Sequence, residues 1–274
     1  MMPQQNRTPT MAPARMPGQQ PEPVLASARA PGRVTAVASG KGGVGKTWFA
    51  ITLAQALAER NRRVVLLDGD IGLANADVQL GLTPQLDLAS VLAGEATLDA
   101  ALTAHPGGFH LLPGRSGSAS LADRAEDPRL IALPQKLAGR FEEVILDIGA
   151  GIGRAQRRLL ASADLPLVIA SEEPTSLTDA YAVLKLLCRD APTAAPRLVV
   201  NMAATTSSAR HVHATLDSAT RRFLGRGLPL AGIVRRDPKV ADAIRAQMPL
   251  LTRHPGSAAA ADVVAIARAL LGPA

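Results

Sequence analysis

A chain of 274 residues with 47% apolar content can bury one large α/β core or two small ones, but aromatics at 2% leave Leu, Val, Ile and Ala to build it. One cysteine, Cys188, excludes an internal disulfide and any cysteine-ligated cluster made within one chain. The net charge of +7 argues only weakly for nucleic acid, because the first 33 residues, with four arginines and one glutamate, hold +3 of it.

Residues 1–32 contain seven of the 21 prolines and little that is strongly apolar. Such a segment cannot bury enough surface to offset its ordering entropy, so a disordered, solvated, Pro-rich basic tail is expected. The start of the chain shows no apolar signal region, and no stretch approaches eighteen strongly apolar residues. Secretion and membrane spanning are therefore not expected, and the reading is a cytoplasmic protein.

From Arg33 onward short apolar runs alternate with helical ones. Strands are expected at 33–39, 63–68, 108–112, 143–147, 166–170, 197–201 and 230–234. Helices are expected at 47–60, 74–80, 88–103, 128–139, 153–162, 176–190, 207–224, 238–247 and 258–271. The strands are continuously apolar rather than alternating, which marks burial on both faces. This pattern predicts a single doubly wound α/β domain over residues 33–274, with a mostly parallel sheet and helices on both faces. Cys188 falls in an apolar helical run and reads as a buried, inert thiol.

The first strand runs into Gly40-Lys41-Gly42-Gly43-Val44-Gly45-Lys46-Thr47, which fits G-x-x-x-x-G-K-[ST], and Trp48 opens the following helix. Strand, glycine loop and helix is the context a phosphate-binding loop requires. Backbone N–H groups of the loop and the helix N-terminus would cradle phosphate. Lys46 would reach the β and γ phosphates and Thr47 would offer its hydroxyl to Mg²⁺, with residues through Trp48 lining the nucleotide.

Further carboxylates end neighbouring strands. Asp68-Gly69-Asp70 follows the second strand, on the rim where ligands of open α/β sheets bind. Alone, Asp-Gly-Asp could be turn chemistry, but beside a phosphate loop such a carboxylate can hold Mg²⁺ or orient an attacking water, Asp70 being the stronger candidate and Asp68 the weaker. Glu142-Glu143-Val144-Ile145-Leu146-Asp147 has the form of a Walker B strand, with Asp147 acting on Mg²⁺ directly or through water. Three glycines in Ile148-Gly149-Ala150-Gly151-Ile152-Gly153 would let the next loop respond to the γ-phosphate. Asn201 could exchange hydrogen bonds with an adenine edge or satisfy a turn, and Asp237 could reach the rim or cap the helix that begins at Pro238. The five histidines lack companions at metal spacing. Arginines 210, 221, 222, 226, 235 and 236, with Asp217 opposing, lack interleaved aromatics and read as a solvated face before a nucleic-acid surface.

Gly40–Thr47, with its extra lysine at Lys41, resembles the deviant Walker A motif of the MinD/ParA family of ATPases. Asp68–Asp77 with Leu80-Gly81-Leu82, Asp147–Ile152, Glu173–Ala182, Arg236-Asp237-Pro238 and Pro249-Leu250 extend the resemblance over most of 33–274, nearest to the flagellar number and placement regulators of the FlhG, FleN and YlxH type. That resemblance implies ATP and Mg²⁺ as cofactors, slow hydrolysis to ADP, and a homodimer when ATP is bound. It gives Lys41 a role at the partner's nucleotide, Asp70 the water-positioning role and Asp147 the Mg²⁺ side. It also implies a flagellar GTPase of the signal-recognition-particle type, or a transcription activator, as partner. A partition ATPase that positions DNA or other cargo is the alternative within the family. The tail does not resemble the segment by which some such regulators stimulate their GTPase. The 262–271 stretch has one basic residue and no aromatic, so it is expected to dock as the last core helix, with membrane contact at most peripheral.

Overall fold

The computed structural model describes residues 31–70, 72–114 and 127–272. Nearly all of the tail expected over 1–32 lies outside them, as does Ile71. The strands are β1 (Arg33–Ala38), β2 (Val64–Gly69), β3 (Thr103–Ala104), β4 (His110–Leu112), β5 (Glu143–Ile148), β6 (Leu165–Ala170), β7 (Arg197–Ala203) and β8 (Leu230–Arg235). They form one sheet in the order β3-β4-β2-β5-β1-β6-β7-β8, parallel throughout except for the β3–β4 pair.

The helices are α1 (Lys46–Ala58), α2 (Ala76–Gln79), α3 (Leu88–Ala93), α4 (Leu98–Ala101), α5 (Pro128–Ala138), α6 (Arg154–Ala161), α7 (Pro174–Asp190), α8 (Thr206–Leu224), α9 (Pro238–Arg245), α10 (Leu250–Arg253) and α11 (Ala258–Leu271). Local chemistry sets their starts. Thr205 and Ser208 make a reciprocal capping box for α8, and Ser257 accepts from the Ala260 N–H at the start of α11. Asp127 and Asp237 cap helices that open with proline.

Successive strand residues feed opposite faces. Val64 and Leu66 pack with α1 and α11, whereas Val65 and Leu67 pack with the layer that includes α5 and α6. That double burial is why these strands read as unbroken apolar runs. The C-terminal helix α11 buries Val263, Ile266, Ala267 and Leu270 in the first of these layers, as expected of a core helix. Among the described residues no helix is long and apolar enough to cross a membrane.

The expected helix over 88–103 is corrected by the structure. It breaks at Gly94, which takes φ +80 as the left-handed cap of α3, restarts as α4 behind Thr97, and ends in the antiparallel strand β3. Helix α10, after Pro249, and strand β3 were not anticipated, since four and two residues are too short to show a period. The arginine region is also more neutralised than its sequence suggests. Arg235 makes a two-pronged ion pair with Asp262 at 2.8 Å, Arg221 pairs with Asp217, and Arg226 reaches the Pro192 carbonyl at 3.2 Å. Arg226 also approaches the Cys188 sulfur at 3.6 Å, and that thiol is half-buried rather than fully enclosed.

Leu66 and Leu67 are adjacent, fully buried and on opposite faces of a central strand. Replacing either with Ala should cost about 2–5 kcal/mol in urea denaturation, because each leaves a cavity in a closed layer. A sheet with one wet face would show a large loss for only one of the two.

Candidate functional site

β1 lies between β5 and β6 at the centre of the sheet, where the order of strands reverses direction. Ligands of open α/β sheets bind in the crevice beyond the strand ends at such a point. The glycine loop leaves β1 there. Gly43 and Gly45 take φ +79 and +86, the left-handed region that glycine enters without penalty, and Gly45 is the N-cap of α1. Gly40 is required by proximity, since a Cβ would stand 2.3 Å from the Asp179 carbonyl oxygen on α7. Val44 is buried and its carbonyl accepts from Asn201 Nδ2 at 2.7 Å.

Beyond the loop opens a cleft of about 520 Å³. Gly42, Gly43, Gly45, Lys46, Thr47, Trp48, Asp70, Asn201 and Asp237 all line it. Lys46 is buried at 8% exposure, and its ammonium donates to Ser39 Oγ at 3.0 Å. Burial lowers the pKa of Lys46, against the charges of Asp147 and Asp70, which raise it. Ser39 in turn donates to the Lys41 carbonyl at 2.6 Å, so one hydroxyl ties the loop's two lysines together. Ser39 was not among the expected site residues; its position as the last residue before Gly40 was the signal.

Asp68 and Asp147 are register partners on β2 and β5 and are both fully buried. Asp68 accepts from the backbone N–H groups of Asp70, Asn75 and Ala76 at 2.9–3.2 Å, so it anchors the loop after β2. Burial pushes its carboxyl up to about 6, with those N–H groups opposing. Asp147 is raised further, by burial first and then by the charge of Asp68, while the Thr47 hydroxyl and Lys46 pull it down. Asp147 Oδ1 is buried without a hydrogen-bond partner. An unpartnered carboxylate oxygen beside the Thr47 hydroxyl suits a hard cation, and these two residues could hold Mg²⁺ with phosphate and water completing its shell. Among the described residues no group of three or more His, Cys, Asp or Glu could hold a metal by itself.

Asp70 is half-buried and accepts from the N–H groups of Gly72 and Leu73 at 3.2 and 3.1 Å. Its carboxylate rests on Gly149, where a Cβ would come 2.8 Å from Oδ1. The loop after β2 and the loop after β5 therefore touch through a carboxylate and a missing side chain. That contact had no sequence signal beyond the glycine itself.

Lys41 points away from the cleft. Its ammonium pairs with Glu173 and donates to Thr175 Oγ1 at 3.0 Å at the start of α7. The Lys41 hydrogen bond and charge hold the exposed Glu173 carboxyl below its ordinary range. On the opposite rim, β7 carries one more residue than β8 between the Val200–Ile233 and Ala203–Arg235 pairs, and Met202 takes φ +56. This bulge is where Asn201 and Met202 both meet the cleft. Asp237 reaches the rim, but Oδ1 accepts from Lys239 N–H at 2.9 Å and Oδ2 from Ala259 N–H at 3.2 Å. Burial would raise its carboxyl, yet these N–H groups hold it below the ordinary range, so capping accounts for both oxygens.

A profile of the CobQ/CobB/MinD/ParA nucleotide binding domain matches residues 35–250. The antiactivator FleN of Pseudomonas aeruginosa is 39% identical over 238 residues, which is 86% of this chain and 85% of FleN. The flagellum site-determining protein YlxH of Helicobacter pylori is 34% identical over 153 residues, 55% of this chain and 52% of YlxH. Among solved structures, the septum site-determining protein MinD of Pyrococcus horikoshii, complexed with Mg-ADP, superposes with a TM-score of 0.74 at 24% identity, covering 88% of this chain and 97% of that one. Phosphate loop, sheet order and family profile agree, and the chain belongs to the CobQ/CobB/MinD/ParA nucleotide-binding family, as a MinD/ParA-type member related to the antiactivator FleN and the flagellum site-determining protein YlxH.

Proposed function

We propose that the chain is a slow Mg²⁺-dependent ATPase that dimerises when ATP is bound and controls flagellar number or placement through a protein partner. The observation that carries the enzymatic part is the convergence of Lys46, Thr47, Asp70 and Asp147 around one phosphate loop. These groups supply positioning and electrostatic stabilisation, which is nearly all that phosphoryl transfer to water asks of a protein. In this reading Lys46 neutralises the β and γ phosphates, Thr47 and Asp147 hold Mg²⁺, and Asp70 orients the water. Asn201 faces the base. The flagellar part rests on the likeness to the flagellum site-determining protein YlxH, and the likeness to FleN, an antiactivator, supports a transcription regulator as the partner.

The roles separate by substitution. Lys46→Ala should remove ATP binding, measured by calorimetry, and hydrolysis with it. Asp70→Ala should bind ATP as the parent does while phosphate release falls about 100-fold or more, since only the water-orienting group is lost. Parent-like turnover in either variant sinks the corresponding assignment.

The Asp70–Gly149 contact gives a subtler test. In Gly149→Ala the new methyl would push against the far end of a flexible carboxylate rather than against backbone. The protein should fold and bind ATP normally but hydrolyse it more slowly, by about tenfold, because water orientation depends on where that carboxylate sits. Unchanged turnover would mean that Asp70 need not rest on Gly149 during reaction.

Assembly depends on Lys41 in this reading. A ligand shifts an equilibrium only through its differential affinity for the two states, and ATP differs from ADP by the charge that Lys41 would meet across a dimer. With Asp70→Ala holding ATP unhydrolysed, sedimentation should find dimers that disappear on adding Lys41→Ala. Dimers that persist in the double variant would make Lys41 an ordinary loop residue.

A further inference from the structure

The buried ammonium of Lys46 has one hydrogen-bond acceptor among the described residues, Ser39 Oγ at 3.0 Å. Its other N–H groups are left for the phosphates that the cleft would receive. A competitor stands close by. Asp147 is buried, its Oδ1 has no hydrogen-bond partner, and its charge acts on Lys46 ahead of that of Asp70. Opposite charges attract strongly where water is excluded, so an unrestrained ammonium would close onto that carboxylate. Such a pair would take the cation from the phosphate and the oxygen from Mg²⁺ at once.

Ser39 stands against this. It lies just past the end of β1, two residues beyond Val37, the register partner of Asp147 on β5. It is buried, and its carbonyl accepts from the Gly151 N–H at 3.0 Å, so its backbone is fixed to the loop that follows Asp147. Its hydroxyl proton is committed to the Lys41 carbonyl at 2.6 Å. A hydroxyl has one donor and two acceptor sites, and with the donor spent only lone pairs remain to meet Lys46. The ammonium is thereby held at the start of the glycine loop rather than on Asp147.

We propose that Ser39 is a positioning residue, whose hydroxyl keeps Lys46 off Asp147 and so leaves the ammonium for phosphate and the carboxylate for Mg²⁺. The inference rests on the nucleotide-site reading above and adds the group that keeps its two opposite charges apart.

The test is ADP binding by calorimetry in EDTA, without metal, for the full chain, Ser39→Ala, Asp147→Asn and the double variant, with thermal melting as the check on folding. Losing the hydroxyl should weaken metal-free ADP by about tenfold, because the nucleotide must then part an ion pair. In the Asp147→Asn background the same change should cost about twofold or less, since no charge remains for Lys46 to close onto. An equal cost in both backgrounds, or none in either, overturns the proposal, because a merely structural Ser39 would not sense the charge of Asp147. Should Ser39→Ala melt early, the same cycle is run with Ser39→Cys, whose thiol keeps the shape but accepts weakly. If the parent binds ADP only with Mg²⁺, the Mg²⁺ titration decides. Ser39→Ala should then need about tenfold more Mg²⁺ for half-saturation, and an unchanged requirement overturns the proposal. Parent binding with equal costs removes only the role of Ser39, whereas a parent chain that binds ADP under neither condition overturns the site reading itself.

Discussion

The left-handed turn at Gly45 is the constraint on which the cleft depends. It lets the chain leave β1, curl through the loop and enter α1 within a few residues, with the first turn of the helix facing the crevice. It also sits at a crowded place, because Trp48 and Asn201 close against the position a side chain would occupy. Backbone torsion and packing therefore demand glycine independently. Remove either demand and the other still forbids a substitution, which makes the turn a rigid reference for every group around it.

Around that reference the charges are arranged at some expense to the protein alone. Asp68 and Asp147 are buried side by side on adjacent strands, and Lys46 is buried near them with a lowered pKa. Asp68 is compensated by three backbone N–H groups, whereas Asp147 keeps an unpartnered oxygen. The contrast separates a carboxylate built to hold a loop from one built to meet something else. Such incompletely compensated groups concentrate where a ligand supplies the missing partner.

Much of this was legible in the sequence because it rests on local rules. The phosphate loop, the continuous strands with Asp70 and Asp147 beyond or near their ends, and the proline-led helix behind Asp237 are patterns of a few adjacent residues. The contacts that were not legible join distant segments. Nothing near Asp70 announces that Gly149 lies under its carboxylate, and nothing near Lys41 announces Glu173. The β7 bulge that accompanies Asn201 at the cleft is set by pairing with β8, a property of two strands rather than one. The broken helix over 88–103 failed for a different reason. Its apolar period persists across Gly94, so only the conformation of that glycine, φ +80, reveals the break.

The order of the strands has a consequence for how the protein comes into being. β1 pairs with β5 and β6, so Arg33 waits for Glu143 and Thr35 for Leu165 before the centre of the sheet exists. Closing loops of that length before any contact rewards them slows folding and lengthens the time that apolar strands stand open. During synthesis the phosphate loop leaves the ribosome early but gains Asn201 and the 235–237 rim only after most of the chain has followed. Nucleotide binds the native state, so it can stabilise the finished domain by mass action but cannot guide the emerging chain through its slowest step. The burden of reaching the native sheet therefore falls on the apolar strands themselves, and on whatever protects them while they wait.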